Sequence, residues 1–186
     1  MMETQEISIS ISSSSSGLEV RPSWLSQDAD NVFMGLFTTI GRKQGDIVCV
    51  YEGTVLPTSV ALKVEDKSYL MRLGEQCYID ARLPYKRAEE PEEEPAKECI
   101  ARYINDSINP AGYNVQFDKQ PGHTPYARAL VVAMRDIESG EELFVSYGKK
   151  YWAGSAIAGY RIPYMELHLL RTAAIQAAKQ EQGQGR

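Results

Sequence analysis

The sequence predicts a mainly β fold of several small sheets with a few short helices and one helix at the C-terminus. Three observations carry that prediction. Short runs rich in β-branched and aromatic residues recur at 32–39, 47–51, 68–73, 76–81, 129–134 and 142–146. Gly, Pro, Asn and Asp stand between them, the residues that turn a chain most readily. The three-to-four spacing of a helical face is sustained near residue 100 and near residue 170.

Residues 1–16 end in Ile-Ser-Ile-Ser-Ile-Ser and four further serines. That alternation is able to form an edge strand, but serine-rich low complexity at a terminus predicts a flexible tail. Residues 18–21 read as a short strand stopped by Pro22-Ser23, and 26–31 as a polar loop. Strands follow at 32–39 and 47–51, joined by a turn at 41–45. A brief helix is expected over 58–67, then a hairpin of 68–73 and 76–81 around Gly74-Glu75.

Residues 84–98 differ in character. Five glutamates fall within 89–94, with Pro91 inside the run and Pro95 after it, so like-charge repulsion and proline predict a solvated acidic loop. From Cys99 to Ile104, the apolar residues Ile100, Tyr103 and Ile104 share one short helical face. Asn-Asp-Ser-Ile-Asn-Pro then packs together side chains that bond nearby backbone, and Pro110 pushes Asn109 out of helical geometry. Strands are expected at 113–117 and 129–134, with a turn-rich loop over 118–125 between them. A turn at 136–140 leads to a strand at 142–146 that ends on Tyr147-Gly148, where a small residue admits close approach of other backbone. Leu167, Leu170, Ala174 and Ala177 recur at helical spacing over 163–180, with Pro163 at the helix start. The Gly45 and Gly140 segments echo one another, each a turn glycine, an acid, an apolar strand and a tyrosine; two hairpins of similar turn chemistry account for that.

At 186 residues the chain fits one domain with tails: a flexible 1–16, a domain over 17–155, and a helix with a frayed tail over 156–186. A net charge of -5 gives no overall basic footprint, so direct nucleic-acid binding is not expected, while a basic partner is weakly favoured. Cys49, Cys77 and Cys99 are scattered, and His123 and His168 are the two histidines, so no metal site is expected and the thiols read as reduced and mostly buried. No apolar run reaches the roughly 18–20 residues that cross a bilayer, and the N-terminus lacks a secretory pattern. Nucleus or cytoplasm is therefore the expected location, and the oligomeric state stays open.

Four segments taken in order are Gly35-Leu36-Phe37, Tyr51-Glu52-Gly53, Ala101-Arg-Tyr-Ile-Asn-Asp-Ser-Ile-Asn-Pro110, and Gly140-Glu-Glu-Leu-Phe-Val-Ser-Tyr-Gly148. Together they resemble the SET domain, the fold of most protein-lysine methyltransferases, over about residues 17–155. The resemblance implies small β-sheets with a knot-like C-terminal crossing and a short form without cysteine-rich zinc segments. The acidic stretch 84–98 then looks like an insertion. The implied reaction is methyl transfer from S-adenosylmethionine to a lysine amine of a protein substrate, with a basic histone tail in chromatin as a candidate. Such chemistry needs alignment and a neutral amine, whereas a free lysine has a pKa of about 10.4.

By the same resemblance Tyr147 is the catalytic tyrosine that also borders the cofactor, and Tyr51 is a second catalytic tyrosine lining the lysine channel. Tyr103, Tyr151 and Trp152 are candidates for the rest of that channel, where aromatic faces attract an alkyl-ammonium. Asn105, Asp106, Met34 and Gly35 are the implied cofactor-binding residues. The chain departs from the family at two places: Asp106 stands where histidine is usual, and Phe33-Met34-Gly35 replaces Gly-x-Gly. Those departures keep a second reading open, an inactive SET-fold protein that serves as a protein-binding module. A third, an unrelated β-rich ligand binder, must treat the ordered motifs as coincidence.

Overall fold

The computed structural model describes residues 11–13, 16–26, 32–86, 90–121, 127–148, 151–152, 171–173, 175–177 and 179–180. Among the described residues, nine strands form three antiparallel three-stranded sheets. The first holds β1 (Ile11–Ser13), β2 (Leu18–Pro22) and β3 (Met34–Thr38) in that order. In the second, β9 (Arg128–Ala133) lies between β4 (Ile47–Tyr51) and β8 (Val115–Gln120). In the third, β7 (Cys77–Asp80) lies between β5 (Thr54–Pro57) and β6 (Leu70–Leu73).

Side-chain alternation explains which face of each strand is inside. Leu18 and Val20 of β2 are buried, as are Cys77 and Ile79 of β7 and Ala129, Val131 and Ala133 of β9. These side chains meet Leu36, Val48, Ile104 and Leu143 in one core. A smaller cluster of Leu25, Phe144 and Ile175, flanked by Trp24 and Tyr113, ties the helical residues of 171–180 to the body of the protein.

Several expectations are corrected. The strand expected over 32–39 is Met34–Thr38, and the brief helix over 58–67 is a single turn, α1 (Thr58–Ala61). Beyond it, Lys63 and Val64 donate to Val60 and Ala61 three residues back, and Leu62 is 60% exposed, so no buried stripe extends the helix. Strand β5 was hidden behind Pro57; among the described residues it pairs with β7 alone, and an edge strand tolerates proline. The strand expected over 113–117 runs instead from Val115 to Gln120, taking residues 118–120 from the expected loop. On that edge, the exposed polar residues Gln116, Asp118 and Lys119 mask the alternation. A single-turn 3-10 helix, Pro110–Gly112, follows the bend where none was expected, started by the proline and capped by the Asn109 side chain. Residues 11–13 pair with β2 as an edge strand, the ordered alternative within the serine-rich tail, whereas 1–10 lie outside the described residues. The part of the expected helix before residue 171 also lies outside them.

The expected strand 142–146 makes single bridges rather than a ladder. Leu143 N–H donates to Leu36 of β3, Val145 N–H donates to Asn105, and the Phe144 carbonyl accepts from Asn114 and Val115. The segment therefore lies between β3 on one side and the bend around Asn105 on the other. Gly148 has no neighbour within 4 Å of a built Cβ but a φ of +86°, so its backbone conformation, and not close approach, calls for glycine.

Candidate active site

The bend begins with a 3-10 turn over Ile100–Tyr103, whose Ala101 is buried, and continues with buried Ile104. Residue Ile108 then takes a φ of +53°, unusual for a β-branched residue. Side chains of the bend itself hold that conformation. Asp106 Oδ1 accepts from Ile108 N–H at 2.7 Å, Ser107 Oγ donates to the Asn109 carbonyl at 3.0 Å, and Asn109 Oδ1 accepts from Ala111 N–H at 3.0 Å.

Two tyrosines far apart in the sequence line one groove with Ile104 of this bend. The Tyr147 hydroxyl donates to the Ile104 carbonyl at 2.7 Å, and its N–H donates to Asp106 Oδ2 at 2.9 Å. At the end of β4, the Tyr51 hydroxyl donates to the Tyr69 carbonyl at 2.9 Å. Burial pushes both phenols well above their ordinary range, so each stays neutral and keeps its proton to donate. The Tyr147 ring meets Tyr151 edge-on at 4.8 Å and lies nearly parallel to Trp152 at 6.1 Å.

Tyr51, Tyr147 and Tyr151 line one open groove of about 1630 Å³. The groove runs between β6 and β8, each an open edge of its sheet, and Lys119 Nζ spans it to the Arg72 carbonyl at 3.0 Å. Its lining carries both signs of charge, Glu65 and Asp66 against Lys67, Arg72, Arg102 and Lys119. Tyr103 and Trp152 are not among the lining residues. Tyr103 donates its hydroxyl to Glu98, and Trp152 Nε1 donates to Asp106 Oδ2 at 2.8 Å.

Behind Ile104 lies a second, polar group of residues. Asn105 Nδ2 donates to the Met34 carbonyl at 3.0 Å and reaches Glu142 Oε1 at 3.3 Å. Glu142, 1% exposed, also accepts from Ser23 Oγ at 2.6 Å and Trp24 N–H at 2.7 Å. Burial raises its pKa to about 7, against the opposing pull of these hydrogen bonds and of Arg21.

The structure thus brings Tyr51, Tyr147 and Tyr151 to one groove, and places Met34, Gly35, Asn105 and Asp106 at the bend next to it. At Met34 and Asn105 the amide NH2 is engaged by the Met34 carbonyl and Glu142, so what suits a cationic, amino-acid-bearing nucleotide there is acceptor capacity, Asn105 Oδ1 and the second lone pair of the Met34 carbonyl, beside exposed Phe33, 43% accessible. The Gly35 and Asp106 side-chain positions offer less. The space a Gly35 Cβ would need is filled by the Glu142 carboxylate, and both Asp106 oxygens are occupied by donors of the chain itself.

Sequence reasoning missed Glu142, Tyr69, Tyr113 and Arg171. Glu142 lay within the quoted Gly-Glu-Glu motif, and its exposure to a core was the missing signal; a carbonyl partner such as that of Tyr69 leaves no trace in side-chain identity. In a comparison with known families, the SET domain family model aligns with residues 34–148, more than half of the chain.

Proposed function

The chain belongs to the SET domain family, and from that premise we propose that it is an S-adenosylmethionine-dependent protein-lysine N-methyltransferase. The observation that carries the reading is the meeting of Tyr51 and Tyr147 in a single groove, each hydroxyl fixed on a backbone carbonyl. S-adenosylmethionine supplies a methyl group already activated by its sulfonium. Met34 and Asn105 would hold it through their remaining acceptors, the Met34 carbonyl and Asn105 Oδ1.

The chain's own residues then have three tasks. Aromatic walls at Tyr51, Tyr147 and Tyr151 receive the alkyl part of a lysine and exclude water from it. Exclusion of water lowers the pKa of the amine, so that its lone pair is free. Neutral phenols of fixed orientation hold that nitrogen in line, since alignment is the larger part of such a barrier. The net charge of -5 weakly favours a basic segment such as a histone tail as the substrate, while the groove lining itself carries both signs.

A specific observation supports a second reading, an inactive protein-binding module. The Asp106 carbonyl accepts from Arg171, so the bend is engaged by the chain's own C-terminal residues. Calorimetry with S-adenosylmethionine, followed by labelled methyl transfer to histone-tail peptides, separates the two. Binding with label on lysine, largely lost in Tyr147→Phe, supports the enzyme; no binding of the cofactor supports the module.

A further inference from the structure

Asp106 is 2% exposed and has no chemical task in the mechanism above. Its carboxylate is nonetheless saturated. Oδ1 accepts from Ile108 N–H at 2.7 Å and from the Tyr113 hydroxyl at 2.8 Å. Oδ2 accepts from Tyr147 N–H at 2.9 Å and from Trp152 Nε1 at 2.8 Å. Its carbonyl accepts from Arg171, whose guanidinium lies 5.3 Å over the Trp152 ring.

We propose that Asp106 is a positioning residue that fixes the main chain of Tyr147 and the indole of Trp152, and so sets where the aromatic wall of the groove stands. The inference rests on Tyr147 being the residue that aligns the amine. Its physical basis is a count of donors and acceptors. An ionised carboxylate offers about four lone-pair directions, and four donors use them. Three of those donors, Ile108 N–H, Tyr147 N–H and Trp152 Nε1–H, are unable to accept a hydrogen bond. The amide of asparagine has one oxygen, so whichever way it turns, its NH2 faces at least one of the three. The amide of the same shape therefore does not hold the bend and the Tyr147 main chain together as the carboxylate does.

The wall depends on that junction. Tyr147 lies 12° from parallel with Trp152, and both contact Tyr151 edge-on, at 4.8 and 5.2 Å. A shift of the Tyr147 main chain therefore moves its hydroxyl off the Ile104 carbonyl and carries Tyr151 with it.

The test compares the full chain with Asp106→Asn, first without cofactor. Hydrogen exchange at the Tyr147 amide is expected to speed up by roughly tenfold or more, while the β9 amides keep their protection. With cofactor and peptide, kcat is expected to fall by roughly tenfold, with the peptide KM and the cofactor Kd within about twofold. A purely structural residue would not produce that split. A folded Asp106→Asn protein with unchanged Tyr147 exchange overturns the proposal, whatever the cofactor Kd does. If Asp106→Asn does not fold, Trp152→Phe removes one donor and keeps a ring. A changed near-UV circular dichroism of the tyrosine cluster beyond the loss of the indole is then expected, and an unchanged tyrosine signal overturns the proposal. Absence of methyl transfer in the parent would refute the enzymatic reading alone, since the exchange and dichroism measurements use no cofactor.

Discussion

Gly35 and Glu142 compete for one small volume: a Cβ on Gly35 would collide with Glu142 Oε1 and come within 3.1 Å of Ser23 Cβ. The glycine thereby lets a buried carboxylate reach Ser23, Trp24 and Asn105 together.

Gly35→Ala is expected to destabilise the protein by about 1–3 kcal/mol through overpacking. Chemical denaturation measures it. Coupling with Glu142→Ala in a double-mutant cycle should recover part of that loss, because the second change vacates the space. Strict additivity of the two would remove the collision as the cause.

Glu142 gives stability a pH dependence of known sign. Its folded pKa, about 7, lies above the ordinary value of 4.5, so the folded state holds this proton more tightly than the unfolded one. The contribution is fully present below about pH 4.5 and is lost as pH rises through about 7. Glu142→Gln should flatten this segment of the stability profile, by thermal unfolding followed from pH 4.5 to 8. An unchanged slope in the variant would assign the dependence to another group.

Tyr51→Phe removes the hydrogen bond to the Tyr69 carbonyl and keeps the edge-on contact with Phe117 at 5.6 Å. The expected cost in stability is about 1 kcal/mol. Methyl transfer to a histone-tail peptide should drop further than that, because the ring loses the anchor that orients it in the groove. Transfer at the parent rate would exclude the Tyr51 hydroxyl from the reaction.

Ile175, 7% exposed, seats the C-terminal helical residues against Leu25 and Phe144. Ile175→Ala should cost about 2–5 kcal/mol of local docking energy. Hydrogen exchange should rise over 171–180 while the three sheets remain protected, which distinguishes undocking from global unfolding.

Much of this arrangement was legible in the residues. Ile47–Tyr51 matched its expected span, and the hairpin around Gly74 followed from a glycine between two apolar runs, with a φ of +72°. The bend at Asn105 was visible because its side chains satisfy their own backbone locally. What escaped was non-local. β8 reads as polar because it is an edge, and residues 142–146 look like a strand although their partners come from three separate segments. The role of Asp106 was the least legible, since four donors at separations of 2 to 46 residues define it. Aspartate in place of histidine looked like a lesion in the motif; its surroundings show a junction.

The placement of residues 141–145 between β3 and the bend also orders events at the ribosome. A chain synthesised only as far as residue 140 lacks Leu143 and Val145, the residues that pair with Leu36 and Asn105. Backbone pairing over such distances is slow, so a nascent chain halted before residue 141 would display an unfilled hydrophobic seam to chaperones and proteases.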